Sequence, residues 1–494
     1  MRILSEIRFK FIFAKPIVVV CYGVLCCAII GLSAVPGFHK IAIMAAIGAC
    51  ALFILSLSIE DIHFGFYMLI GFGFLLAFID RMTGSHLPLY SVFFLAPFVI
   101  FIGLVLRSVF CRERLVVEKH LLVYGYFVTV AYTLVQFFNP EMGSLPGWVS
   151  YFRQTASLTA LFLIALYLFR DLKNVRFFFR FLMCAIFVTA LYGCVQQWIG
   201  MVPSDRNWVY ADPAILGMYR LPGGGIRKFS FLTDPANFGT LMASGTVATL
   251  ILALESKQKT GRIVWSLFTL IIFLGMSYSG TRTANIMIAA GLVLYIMMTL
   301  YQKRTRMLAL GAALLFVVMM NVPIYGNVTI NRFRTAFKAP THDASYDARL
   351  MNRLKIRPYL YSHPFGGGVN TTGATGLKYN PHHPLAAIPP DSSLVATFME
   401  DGWVGLAIHL VFLFLIIAYA VHYYFRCQNA EVKTYYAIIA AVLFSLGLVG
   451  AYAQYTLVNV PQIFLYIPFI AITVRLHTFD QLITVKTNPQ KEYL

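Results

Sequence analysis

Residues 403–425 read WVGLAIHLVFLFLIIAYAVHYYF, and this stretch decides the fold. It contains no Asp, Glu, Lys or Arg. About 20 such residues are enough for a helix to cross the hydrocarbon core of a bilayer. Nothing in that core can bond a free N–H or C=O, so the segment must be a helix. The next loop, FRCQNAEVK from residue 425, is basic and polar. Working outward, the same alternation recurs along the chain. Apolar spans are expected near residues 17–35, 40–57, 63–80, 88–106, 120–138, 155–170, 178–199, 237–255, 263–279, 283–301, 307–322, 403–425, 434–452 and 458–475. The expected fold class is therefore an all-α polytopic membrane protein of 12–14 transmembrane helices, a single integral membrane domain over residues 1–494.

Composition agrees. Of 494 residues, 59% are hydrophobic and 12% charged, and the mean hydropathy is +0.74. Soluble domains are nearer a quarter charged, so a soluble fold is excluded. The net charge of +19 does not argue for nucleic acid, because Lys and Arg collect in cytoplasmic loops for topological reasons. With the N-terminus inside, the inner loops and both termini hold 23 of the 39 Lys and Arg residues. The short outer segments hold four: Lys40, Arg81, Arg153 and Arg282. Both termini are thus expected on the cytoplasmic side. The basic residues before Pro16 and the long apolar run that follows read as a retained first helix rather than a cleaved signal. The eight cysteines fall in spans or inner loops, which argues against a disulfide scaffold or a cysteine metal site.

The remaining 12 Lys and Arg residues lie in two long outer (periplasmic or extracellular) loops, expected at residues 200–236 and 321–402. Loops of that length in a compact domain are usually functional or disordered. These contain Trp, Tyr, Phe and Pro and are not disordered in character. The second is expected to contain short helices, one of them over Asp347–Ser362 (DARLMNRLKIRPYLYS) lying at the interface and ending near His363-Pro364.

Three segments could carry chemistry. In YRLPGGGIRKFSFLTDPANFG, residues 219–239, Arg220 and Arg227 flank glycines, and Asp234-Pro235 is an N-cap signature. Guanidinium groups present a fork of donors suited to phosphate; a surface turn with snorkelling arginines is the plain alternative. In SYSGTRTAN, residues 277–285, Arg282 stands among hydroxyls between two apolar runs; it is either a functional charge or one reaching the headgroups. In YNPHHPLAAIPPDSSLVATFMEDGWVGL, residues 379–406, the titratable groups are His382, His383, Asp391, Glu400 and Asp401. Any of these could accept a proton from a hydroxyl, although each taken alone reads first as a solvated loop residue. Adjacent histidines rarely chelate one metal, and neither a metal site nor a cofactor is expected.

In this order and spacing, FNPEMGSLPGWVSYFR (138–153), LYGCVQQWIG (191–200), Arg220 to FLTDPANFG (220–239), SGTRTA (279–284), RLKIRPYLYSHPFGGGVN (353–370) and DSSLVATFMEDGWVGL (391–406) resemble the O-antigen ligase and Wzy-type polysaccharide polymerase superfamily. The resemblance implies a GT-C-like membrane fold. It implies metal-independent, inverting transfer from a polyprenyl-diphosphate-linked oligosaccharide, polymerising a surface polysaccharide. It matches Arg227 and Arg282 to the arginines that hold the diphosphate, with Arg220 a further candidate, and Arg349 or Arg353 to the basic helix of the large loop. Ligases of the family carry a His where Asp391 stands here, so Asp391, or His382 and His383 upstream, would take the acceptor proton. That departure tilts the reading from ligase towards polymerase. The alternative is the ligase reaction, onto lipid A core or a protein; a flippase or transporter of the same lipid-linked glycan is disfavoured by the absence of a repeat. Besides the bilayer, the implied partners are a flippase and chain-length regulators.

Overall fold

The computed structural model describes residues 57–83, 89–111, 117–221, 224–322, 328–338 and 344–487. Twelve helices among them are long and apolar enough to cross a membrane. They are α1 (Ile62–Thr83), α2 (Leu89–Cys111), α3 (Leu121–Val135), α4 (Leu145–Leu168), α5 (Leu172–Trp198), α8 (Pro235–Glu255), α9 (Lys259–Tyr278), α10 (Arg282–Thr299), α11 (Lys303–Asn321), α15 (Ser393–Arg426), α16 (Ala430–Leu443, continued by a wider turn over Phe444–Gly450) and α17 (Ile463–Thr487). Each corresponds to one of the expected spans. The first two expected spans fall outside the described residues, residue 57 apart. Five shorter helices occupy the two long loops: α6 (Pro203–Ala211) and α7 (Pro213–Tyr219) in the first, and α12 (Val328–Phe337), α13 (Ala344–Ser362) and α14 (Gly373–Tyr379) in the second. The chain is an all-α polytopic membrane protein.

Helices α8, α16 and α17 form the centre. In α8, 83% of the apolar window is buried, against 6% in α11 at the rim. Small residues explain the position of α8, which reads PANFGTLMASGTVATLILALE. In a bilayer, small residues let helices approach closely, and this packing substitutes for a hydrophobic drive that lipid removes. A Cβ on Gly245 would stand 2.6 Å from Ile186 Cγ2 on α5, so even alanine would push that contact apart. The hydroxyls of Thr240, Ser244, Thr246 and Thr249 donate to carbonyls one turn back within α8, which leaves none of them seeking a partner in lipid. Around α8 stand α5, α9, α10 and α16.

Pairings between elements define the two ends of the bundle. At one end Arg176 meets Glu431, Arg475 meets Glu118, and Asp480 accepts from the backbone of Gln428 and Asn429. At the other end both long loops fold back over the helices. There Arg81, at the end of α1, is buried with Asp205 of α6: Nε lies 2.9 Å from Oδ1, and Nη1 and Nη2 donate to the carbonyls of Leu232 and Ser230. The same Asp205 accepts from Tyr192 and Gln196, both at 2.8 Å.

Two helices start earlier than their apolar runs. Helix α4 begins at Leu145, where Ser144 accepts from Gly147 N–H. Helix α15 begins at Ser393, capped by Ser392. It then breaks at Gly402, whose φ of 69° belongs to glycine. The break leaves the carbonyls of Met399 and Glu400 without helical donors. The amides of Gly367 and Gly368 supply them, and Trp403 N–H turns to Pro364 O. The glycine run 366–368 is therefore a splice into a broken helix.

Candidate functional site

The loop end carries three distinct groupings. The first is basic. Tyr219–Arg227 forms a tight hairpin, with Arg227 N–H on Tyr219 O and Leu221 N–H on Gly225 O. The hairpin turns the Arg227 guanidinium onto the α9–α10 turn. Nε donates to Ser279 O and Nη2 to Thr281 Oγ1, both at 2.9 Å, and Nη1 donates to Met218 O at 3.3 Å. Asp234 caps α8 by accepting from Ala236 and Asn237 N–H, as its Asp-Pro step suggests. Burial, with Arg332 and Arg282 nearby, pushes the Arg227 guanidinium down to about 10, while Asp234 opposes the shift. Arg227 thus remains charged at neutral pH. The structure brings Arg227, Arg282 and Arg332 into one field. Arg332, on α12, was visible only as one more loop arginine. The hydroxyls around Arg282 divide. Ser279, Thr281 and Thr283 are buried. Thr281 links Arg227 to Pro235 O, so the polar setting expected there holds the turn together.

The other nominated arginines stand apart. Arg220 is exposed on the hairpin. Arg353 docks α13 on the bundle, stacked over Tyr452 at 4.8 Å and donating to its hydroxyl at 2.9 Å. Arg349 lies one turn earlier on α13 and is half-buried. The buried face of α13 is Ile356 and Leu360, packed on Leu385 and Met399. Leu350 and Leu354 are 45% and 50% exposed, so apolar side chains face away from the protein, as expected of a helix lying on a bilayer surface.

The second grouping is a titratable cluster joining the α3–α4 turn to the large loop. Tyr359 OH donates to Glu141 Oε2 at 3.3 Å and lies 3.4 Å from His383 Nε2. His363 stacks on Tyr359 with ring centres 4.0 Å apart, its Nε2 3.6 Å from Glu141. His383 Nδ1 accepts from Leu385 N–H. Burial lowers the His383 imidazole, with Glu141 opposing, and burial and Glu141 raise the Tyr359 phenol. His382 is exposed. Of the expected proton acceptors, His383 alone joins this cluster.

The third is a cavity of about 520 Å³ between α2, α3, α4, α15 and α17. Hydroxyls, amides and phenols supply its polar lining, among them Tyr132, Tyr151, Gln154, Thr397 and Tyr455. Its titratable side chains besides the phenols are Glu400, Asp401 and His409. Glu400 is engaged: it accepts from Thr372 Oγ1 at 2.6 Å, with the Asn370–Thr372 backbone beside it. Asp401 is held through its backbone, its carbonyl accepting from Tyr132 OH at 2.7 Å. Burial and the two carboxylates raise the Tyr455 phenol. Asp391 is half-buried just before α15 and is not part of the lining, although Pro390 and Ser393 are. Thr233 and Asn237 also line the cavity. They flank Asp234, which interacts with Arg227. The start of α8 therefore neighbours both the arginines and the cavity.

These features define a multi-pass membrane protein with a basic turn and a carboxylate-bearing cavity at one end of the bundle. Residues 266–410, from α9 to the first half of α15, match the family model described as O-antigen ligase. The match over that segment supports the O-antigen ligase and Wzy-type superfamily, and at that level glycan transfer of the ligase or polymerase type. The matched segment includes Arg282, Arg332, Asp391 and Asp401; Arg227 lies before it. No curated protein matches the chain.

Proposed function

We propose that the chain transfers a glycan from a polyprenyl-diphosphate carrier, at the outer face of the membrane, to a hydroxyl of the next lipid-linked repeat unit. The observation that carries this reading is the grouping of Arg227, Arg282 and Arg332 near the start of α8, where Thr233 and Asn237 line the cavity. Breaking the bond between an anomeric carbon and a diphosphate leaves charge on the phosphate. Positioned guanidinium groups stabilise such charge in a site that excludes water. On this reading Arg227 and Arg282 hold the diphosphate. The acceptor oxygen attacks the opposite face of the sugar and inverts the anomeric centre. Its proton passes to a carboxylate or imidazole near the start of α15, where Asp391, His382 and His383 stand.

Alanine at Arg227 or Arg282, in cells lacking the native protein, is expected to abolish long-chain polysaccharide. Chains of normal length and amount would refute the assignment. The family's name, O-antigen ligase, favours a second reading, transfer of finished chains to a lipid or protein acceptor. Glycolipids of a deletion strain separate the two. Single repeat units left on the carrier or on lipid A indicate a polymerase, and full-length chains left on the carrier indicate a ligase.

A further inference from the structure

We infer that the 520 Å³ cavity is the binding site for the acceptor saccharide, and that Asp401 is the group that takes the acceptor's proton. This rests on the transfer reaction proposed above. The volume lies within the roughly 300–1,000 Å³ of small-molecule sites. The chemistry of the lining selects the occupant. Among the described residues that line the cavity there is no Lys or Arg, and two carboxylates are present. A diphosphate would find no cationic partner there. A neutral or cationic sugar would meet Tyr132, Tyr151, Gln154, Thr397 and Tyr455, groups that both donate and accept, with phenol rings to cover its C–H faces.

The two carboxylates differ in what remains free. Glu400 already accepts a short hydrogen bond from Thr372 Oγ1, with the Asn370–Thr372 backbone beside it, and its own carbonyl is taken by Gly368 N–H in the splice at Gly402. No described residue donates a hydrogen bond to the Asp401 carboxylate. Its backbone is nevertheless pinned by Tyr132, and it stands at the end of the helical segment that Gly402 terminates. A rigidly placed carboxylate with free lone pairs, facing a polar cavity, is what a general base requires. In the reaction the acceptor oxygen forms its bond to the anomeric carbon as the carbon–oxygen bond to the diphosphate breaks. The bonding pair leaves on the phosphate oxygen, and the hydroxyl proton moves to Asp401. The candidates read from sequence fit less well. Asp391 is outside the lining, His382 is exposed, and both ring nitrogens of His383 face partners within the loop.

The test uses full-length protein in liposomes, with lipid-linked oligosaccharide extracted from a deletion strain as donor and the oligosaccharide cleaved from it as acceptor. Donor binding and release of polyprenyl diphosphate are measured separately. Asp401→Asn is expected to leave donor binding unchanged within about threefold and to lower transfer by about 10²–10⁴-fold. Thr397→Phe, which fills the cavity, is expected to raise the KM for acceptor and leave donor binding intact. Transfer by Asp401→Asn within threefold of wild type overturns the assignment of the base. Weakened donor binding in Thr397→Phe gives the cavity to the carrier and overturns the assignment of the site. Wild-type protein that binds donor but forms no product, or binds none, refutes the underlying reaction instead.

Discussion

The pair of Arg81 and Asp205 offers a quantitative test of how the first long loop is held. Their side chains are 2% and 0% exposed. Arg81 also supplies the carbonyls of Ser230 and Leu232 and lies over the Phe229 ring at 4.9 Å. Asp205 in turn satisfies Tyr192 and Gln196. Removing one partner of a buried pair leaves an uncompensated charge and costs about 3–5 kcal/mol. Arg81→Met strands a carboxylate and two backbone carbonyls. Asp205→Asn is isosteric but strands a guanidinium. Each is expected to fall in that range. The double variant removes both charges, so its loss should be smaller than the sum of the singles by about 1.5–3 kcal/mol.

Equilibrium unfolding in mixed micelles, titrated with denaturing detergent, measures all four corners of the cycle. Limited proteolysis gives the local readout. Both single variants should expose cleavage sites within residues 199–234, because the pair ties α1 to the segment that leads to Arg227. Two results would refute the reasoning: single losses below about 1 kcal/mol, or a double loss equal to the sum within about 0.5 kcal/mol.

Other perturbations follow from the same contacts. Arg227→Lys keeps the charge but not the fork that spans Met218, Ser279 and Thr281, so in the donor-binding assay it should behave like Arg227→Ala. Gly402→Ala places a Cβ against Pro364 O and Gly366 N at a positive φ. It should cost at least about 2 kcal/mol, read as loss of monodisperse protein and in the same unfolding titration. Arg176→Ala breaks a pair whose side chains are 42% and 34% exposed and should cost less than about 1 kcal/mol there. The folded His383 imidazole titrates below its ordinary value of about 6.5. The unfolded chain therefore takes up the proton first as pH falls. Stability present above about pH 6.5 should decline as pH drops towards the folded value, and the decline should shrink in His383→Gln when unfolding is titrated at several pH values.

What was legible in the sequence is what hydropathy and local chemistry encode. The twelve described spans stand where apolar runs stand, and Asp234-Pro235 announces the start of α8. The first turns of α4 and α15 were not legible, because LPGWVSYFRQ and SLVATFMED mix polar and apolar residues and hydropathy reads them as loop. Arg81 counted as one outer charge among four; nothing local reveals that its partner lies 124 residues away. Tyr359 and Glu141 are 218 residues apart, so the only signal for their cluster was the presence of titratable groups in two separate motifs. Asp401 was in view, immediately before a glycine and an apolar run, but read as a solvated loop residue. Its interest comes from the break at Gly402, a tertiary event in which a distant glycine run replaces the helix's own donors.

The separation of charge at the loop end bears on how one protein could perform both halves of the proposed reaction. A leaving diphosphate needs positive charge, and a hydroxyl losing its proton needs a negative or neutral acceptor. Placed together, arginine and carboxylate would pair, and each would be spent on the other, as Arg81 and Asp205 are. Here the N-terminus of α8 neighbours both groups. Its amides carry partial positive charge, Asp234 caps that end and interacts with Arg227, and Asn237, one turn on, lines the cavity with Asp401. Thr281 ties the arginine side to Pro235 O, and Gln462 ties α17 to Asn237 O. On the proposed reaction, the short rigid start of α8 fixes how far the anomeric carbon's two neighbours, leaving oxygen and attacking oxygen, can lie from their opposite charges. A substitution that moves this turn without touching either group should then lower the transfer rate more than donor binding.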